Sequence, residues 1–370
     1  MAFDVERVRA AYRAGLGNSG GAFPASRRAD EIETACREAV ADLTGGIASG
    51  VILGPNMTTL TYRLAGTLAK DWREGDEVVV SRLDHDANVR LWVQAAGSRG
   101  AVVRWAEVDT STGELPAGQY DELIGPRTRM VAVTAASNLI GTRPDVAAIT
   151  AKARAAGALS YVDGVHATPH GPVDIKALGA DFYATSAYKW SGPHVGAVIA
   201  DPGLLAGLQP DRLAPQADEV PFRFERGTTA FADLAGVTAA VNHLATLAGP
   251  AEGSRRERLL AAMAAARRHE QQLLGVLLGG LDSMPHVTSY GRAANRTATA
   301  FFTVAGHTPQ QVAARLAERK VNVWDGDNYA WELVGALGLR ESGGGVRAGL
   351  VHYNNRADVD RLLAAVAELG

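Results

Sequence analysis

Seven short apolar runs take turns with helical patterns through the first half of the chain, and this alternation restricts the fold more than any other feature. The runs lie at 50–53, 77–81, 101–105, 129–134, 159–163, 181–185 and 197–200, with amphipathic stretches near 27–43, 58–71, 86–98 and 144–156. Strands separated by helices cannot pair as hairpins, so a mostly parallel seven-stranded α/β sheet with helices on both faces is expected. A long helical region should follow from about 232 to 278. The remainder reads as strand 297–304, helix 309–318, strands 320–324 and 346–351, and helix 356–369. That is a smaller α+β unit. The expected division is a large unit at 15–248, with 1–14 and 249–370 forming the small one.

Composition removes several classes of function. With 370 residues, 47% of them hydrophobic, the chain can bury a large core. The net charge of -3 comes without a basic run, which disfavours nucleic acid or a charged membrane surface as partner. No apolar stretch approaches the roughly 18 residues of a membrane helix, and the opening residues lack the pattern of a signal peptide. The single cysteine, Cys36, excludes an intrachain disulfide. A cytoplasmic enzyme is the expectation.

In an open α/β sheet, ligands sit beyond the carboxyl ends of the strands. Two polar clusters fall there: Tyr161-Val162-Asp163-Gly164-Val165-His166 and Ala184-Thr185-Ser186-Ala187-Tyr188-Lys189-Trp190. Of the five lysines (Lys70, Lys152, Lys176, Lys189 and Lys320), only Lys189 lies in a polar and aromatic cluster. A lysine after a strand is by itself more often a surface residue, and an aspartate there is often a turn or cap. Together they suit pyridoxal 5'-phosphate. Lys189 would hold the aldehyde as a Schiff base, and Asp163 would keep the pyridine nitrogen protonated so that the ring draws electrons. Met57 and Thr58 follow a strand and open a helix, whose N-terminus suits a phosphate. His166 and His170, spaced i, i+4, could bind a metal on a helix, but Pro169 intervenes and no third ligand is evident, so no metal is expected.

Several ordered motifs identify a family. Gly54-Pro55-Asn56-Met57-Thr58, Asp84-His85-Asp86-Ala87-Asn88, Ser137-Asn138-Leu139-Ile140-Gly141-Thr142, Asp163 to His166, Ser186 to Gly196, Phe224-Glu225-Arg226-Gly227-Thr228 and Val346-Arg347-Ala348-Gly349-Leu350-Val351-His352-Tyr353-Asn354 together resemble the class V aminotransferases, fold-type I pyridoxal-phosphate enzymes. The resemblance runs from about residue 18 to the C-terminus and is closest to a cysteine desulfurase-like branch. It implies that His85 stacks on the cofactor ring and can relay protons, and that Asn138 lies near the cofactor oxygen and the substrate carboxylate. It also implies that Ser186 and Tyr188 bind the phosphate and that Arg347 binds the substrate carboxylate. Thr228 would reach the partner subunit's phosphate, which would make the protein a homodimer with shared active sites. His166 stands where desulfurases usually carry Gln.

Two departures shape the functional expectation. Desulfurases carry a nucleophilic cysteine on the loop before the arginine, whereas Trp324-Asp325-Gly326-Asp327-Asn328-Tyr329-Ala330-Trp331 has none. Cys36 belongs to an N-terminal helical pattern and reads as a small buried residue. The family's opening strand is also missing: Arg13-Ala14-Gly15 leads almost directly to Gly17-Asn18-Ser19-Gly20-Gly21, which should leave a wider or differently lined pocket. The chain is similar to pyridoxal-phosphate C–S lyases of natural-product biosynthesis, including lincosamide antibiotic pathways. The expected reaction is β-elimination from an S-substituted cysteine in specialised metabolism. An aminotransferase, an epimerase or a decarboxylating variant would share the cofactor residues. A cysteine desulfurase is disfavoured by the absent thiol, and a non-catalytic relative by the intact Lys189 and Asp163.

Overall fold

The computed structural model describes residues 2–249 and 252–370; the expected helix at 232–278 therefore includes two positions, 250 and 251, outside the described residues. The strands of the first sheet are β1 (Val51–Gly54), β2 (Glu77–Ser81), β3 (Val102–Ala106), β4 (Thr128–Thr134), β5 (Leu159–Asp163), β6 (Phe182–Ser186) and β7 (Gly196–Ala200). Their order is β1-β7-β6-β5-β4-β2-β3. The neighbours from β6 through β3 are parallel, while β7 runs antiparallel to both β6 and β1. As expected, the sheet is seven-stranded and mostly parallel. Because β7 reverses direction once, β1 points the same way as β6. The carboxyl ends of β1, β2, β4, β5 and β6 thus share one edge.

Every residue of β2, β6 and β7 is buried, which is why these strands read as continuous apolar runs rather than alternating ones. The helices preceding the second sheet are α1 (Ala2–Arg13), α2 (Pro24–Thr44), α3 (Met57–Leu68), α4 (Arg90–Gly97), the short α5 (Tyr120–Leu123), α6 (Val146–Ala155), α7 (Ile175–Leu178), α8 (Pro202–Ala206) and α9 (Phe231–Leu244). One sheet face packs against α2, α6 and α9 through residues such as Val40, Ile149 and Val241. The other packs against α3 and α4 through Leu60, Leu64 and Trp92.

The second sheet is antiparallel: β8 (Val287–Tyr290), β9 (Thr299–Val304), β10 (Trp324–Gly326) and β11 (Gly345–Gly349) in the order β10-β11-β9-β8. Helices α10 (Arg255–Asp282), α11 (Pro309–Glu318) and α13 (Arg356–Ala367) cover it, and α12 (Trp331–Ala336) lies between β10 and β11. α10 joins the two cores. Leu259 and Met263 in its first half belong to the first core, whereas Leu273, Leu274, Leu277 and Leu281 belong to the second.

Two expectations change. The helical region expected at 232–278 is two helices, because Gly249 and Gly253 adopt φ of 89° and 104° and Ser254 with Glu257 forms a capping box that starts α10 afresh. The strand expected at 320–324 pairs later, at Trp324–Gly326, where it finds β11. α1 packs along α9, where Gly236 leaves room for Val8, since a Cβ there would lie 2.8 Å from its methyl.

Candidate active site

The shared edge of strand ends opens onto a cavity of about 790 Å³. At one side stands the N-terminus of α3. Asn56 caps it, accepting from the Thr59 N–H at 2.8 Å. The Met57 N–H donates to the Ser186 hydroxyl at 3.0 Å, so a helix N-terminus and a side chain at the end of β6 converge. Gly196 allows this approach: a Cβ there would lie 2.2 Å from the Asn56 carbonyl carbon. Thr58 and Tyr188 complete this side of the cavity.

Lys189 belongs to a tight turn, Ala187–Trp190, that follows β6. The turn is closed by Ser191 at φ 70°, by the Gly192 N–H donating to the Ala187 carbonyl at 2.8 Å, and by the Trp190 indole donating to Thr185 at 3.0 Å. The Lys189 side chain is accessible, but its exposure is to the cavity it lines. Burial of its amine, followed by the nearby Arg347 cation, lowers its pKa, and Asp163 opposes them. Asp163 ends β5 and accepts from the Val165 N–H at 2.9 Å. Burial pushes its carboxyl up to about 6 against the pull of that hydrogen bond and of Lys189. Tyr188 stacks on His194 with ring centres 4.9 Å apart.

His85 follows β2 in a turn built around the buried Asp84, which accepts from Ser81 and from Asn88 Nδ2. Nδ1 of His85 accepts from the Ala87 N–H at 3.0 Å, which leaves the proton of the neutral ring on Nε2. Burial, and then Lys189 and Arg347, lower the pKa to about 4. One ring face meets Tyr329, 5.3 Å between centres.

Arg347 lies in β11 opposite Trp324 and donates from Nη1 to the Asn138 carbonyl at 2.9 Å. The Asn138 amide donates to the Asn328 carbonyl at 2.7 Å, while its own buried Oδ1 has no hydrogen-bond partner among the described residues. A donor brought into the cavity would satisfy it. His166 lies within 3.0 Å of the Thr297 hydroxyl and 3.1 Å of that of Thr299 through Nε2. His170 joins no metal cluster: its Nδ1 lies 2.7 Å from Glu270, and no group of three or more His, Cys, Asp or Glu suited to a metal occurs among the described residues.

Of the sequence-derived residues, Met57, Thr58, His85, Asn138, Asp163, His166, Tyr188, Lys189 and Arg347 line this one cavity, and Ser186 touches it through Met57. Thr228 does not; it is exposed and outside the lining. Cys36 is fully buried in α2, with burial pushing its thiol up to about 12. The glycine-rich stretch at 15–21 folds back onto the start of α2, where Ser26 bonds Gly21 and Asn18.

Sequence reasoning missed the aromatic wall. Trp324, Tyr329 and Trp331 line the cavity with exposures of 69%, 71% and 42%. Asp325, Asp327 and Arg340 accompany them. Asn328 and Tyr329 adopt φ of 51° and 59°, and Glu332 ties the wall down by pairing with Arg82 and Arg90, each at 2.9 Å. Three aromatic residues within eight positions were a legible signal. Glu270, Thr297 and Thr299 were not.

The whole arrangement fits pyridoxal 5'-phosphate: an anion-binding helix end, an amine and a carboxylate at adjacent strand ends, and an unsatisfied amide oxygen share one cavity. Comparisons with known proteins agree. Residues 5–362 match the family described as Aminotransferase class-V. An uncharacterized Mycobacterium tuberculosis protein, MT3887, is 38% identical over 98% of this chain and 91% of its own length. A probable cysteine desulfurase of Mycolicibacterium paratuberculosis is 30% identical over 93% of this chain, which spans 50% of that relative. The solved Escherichia coli cysteine desulfurase CsdA superposes with a TM-score of 0.87 at 26% identity, covering 100% of this chain and 91% of that one.

Proposed function

Since the chain belongs to the aminotransferase class-V family and is a pyridoxal 5'-phosphate enzyme, we propose that it catalyses β-elimination from an S-substituted L-cysteine. The balanced reaction takes the amino acid and water to a thiol, pyruvate and ammonia. The observation that carries this reading is the wall at 324–331. It faces the cavity where a desulfurase needs its thiol, and it offers indole and phenol rings instead. Cys36 cannot substitute, being buried in α2 with its thiol held protonated.

When bound, the cofactor supplies an electron sink next to the α-carbon. The chain's residues do the rest. Lys189 carries the cofactor on Nζ, and its lowered pKa suits it to accept the α-proton. Asp163 would hold a proton at the ring nitrogen; its carboxyl, which burial pushes up to about 6, turns anionic beside a cation. The Met57 N–H, Thr58, Ser186 and Tyr188 hold the phosphate. His85, neutral, packs along the ring and offers its Nε2 proton. Arg347 pairs with the substrate carboxylate, with Asn138 beside it. Trp324, Tyr329 and Trp331 receive the sulfur substituent, which favours a bulky one and agrees with a role in specialised metabolism.

Incubating the enzyme with S-alkyl cysteines and a 2-oxo acid tests this. The reading expects thiol and pyruvate in equal amounts. A new amino acid formed from the oxo acid instead would make the enzyme an aminotransferase; in a parallel incubation with free L-cysteine, alanine with enzyme-bound persulfide would make it a desulfurase.

A further inference from the structure

At the wall of the cavity, which His170 helps to line, lies a buried pair that the proposed reaction does not use. His170, 5% exposed, ends the turn after β5, and Glu270, 1% exposed, lies on α10. Nδ1 of His170 is 2.7 Å from Glu270 Oε2, and the other carboxylate oxygen is buried without a hydrogen-bond partner among the described residues. A half-satisfied buried carboxylate is costly, and this one sits where α10 passes from one core to the other. The His170 ring rests on that of His166, 4.8 Å between centres at 53°. His166 in turn is held at Nε2 by Thr297 and Thr299, whose hydroxyls are 3.2 Å apart. Its Nδ1 has no hydrogen-bond partner among the described residues, and the ring lines the cavity.

The charges around this stack are uneven. His170 itself, Arg347 from β11, Arg143 from the loop after β4 and Lys189 from the turn after β6 all act on His166 as cations. Arg267, on α10, adds to the positive side at Arg143. His352 faces both His170 and Glu270. Against them stand Asp163, next to Lys189, and Glu270.

We propose that Glu270, acting through His170, is a positioning residue: it fixes the His170 ring against His166 and supplies the negative charge that offsets Arg143 beside that ring. The carboxylate accepts from Nδ1–H, which sets the ring's orientation and, when neutral, its tautomer. His170 then braces His166 from behind while the two threonines hold it from the side. His166 presents a fixed Nδ1 to the cofactor. The inference rests on the cofactor being carried by Lys189.

The test is the pH titration of the bound cofactor's absorbance band in wild type, Glu270→Gln and Glu270→Asp holoenzymes, with thermal melts alongside. The protonated form of the lysine-bound cofactor carries the extra positive charge. Removing the Glu270 charge leaves Arg143, the cation beside His166 on which it acts, less compensated, so the Gln variant should titrate at lower pH by about half a unit or more. The Asp variant keeps the charge and should titrate within about 0.2 unit of wild type. A Gln midpoint equal to wild type, with only the melting temperature lowered, would reduce the pair to a structural tie and overturn the proposal. If the Gln variant gives no folded holoenzyme, the Asp variant decides: a displaced midpoint there overturns it as well. Loss of the band in wild type itself, or its persistence in Lys189→Ala, would instead defeat the cofactor assignment.

Discussion

Lys189 and Asp163 share a desolvated floor that pushes both toward neutrality, the amine's pKa down and the carboxyl's up. Burial thus readies a nucleophile and leaves a carboxyl that ionises when a cation comes beside it. Arg347 contributes to the first effect, because its charge is one cause of the lowered lysine pKa. Arg347→Gln should therefore raise KM for the amino acid about ten- to a hundredfold, the worth of one charged hydrogen-bond pair. Unchanged KM in steady-state kinetics would remove Arg347 from the carboxylate site. A second residue governs stability with pH. Burial pushes Asp84 up to about 8 from an ordinary 3.8. A carboxyl raised in the folded state gives its stability below its unfolded value and loses it as pH rises through the folded one. Asp84→Asn removes that loss, so melts of the cofactor-free protein should show the variant gaining on wild type from pH 5 to pH 8. Parallel curves would contradict a buried neutral Asp84. Lys189 and Asp163 were legible in the sequence because they stand at or just beyond the ends of apolar runs, and His85 through the family resemblance. Glu270 was not: its partner is 100 positions away, and a glutamate in a helix rich in Arg and Glu reads as a solvated face.

Among the elements, α3 and the wall at 324–331 do most to define the pocket. The start of α3 approaches β7 so closely that Gly196 has no space for a methyl, with backbone rather than a flexible side chain in the way. Gly196→Ala should displace the helix N-terminus and weaken cofactor binding at least about tenfold; fluorescence titration with the cofactor measures it, and wild-type affinity would separate this helix end from the phosphate. Strands β2, β6 and β7 were the most readable because both their faces are covered, which makes continuous apolar runs. β10 was misplaced because its bounds depend on pairing with β11, a partner that local sequence does not name. The break before α10 was readable in hindsight from Ser254 and Glu257, the two ends of a capping box.

At the scale of the whole molecule, the chain's own cavity lacks Thr228, which lies exposed beyond it. The proposal of a homodimer with shared sites gives that residue a place against the partner's phosphate. Mixing Lys189→Ala subunits with Thr228→Val subunits under exchange should then build dimers with one wholly wild-type site. At limiting cofactor the mixture should exceed both parents in turnover. No gain from confirmed heterodimers, with a Thr228 defect present in its parent, would return Thr228 to its own subunit or remove it from the phosphate. α10 has a matching role within one chain, since its two halves are buried in different cores and a shift of either core would be felt at Glu270.

All of these roles depend on Lys189 carrying the cofactor. The most direct measurement is borohydride reduction of the holoenzyme followed by peptide mapping with mass spectrometry. The phosphopyridoxyl group should appear on the peptide containing Lys189 and on none containing Lys70, Lys152, Lys176 or Lys320. A modified peptide elsewhere, or none at all in a protein that still holds the cofactor, would contradict the assignment of the site.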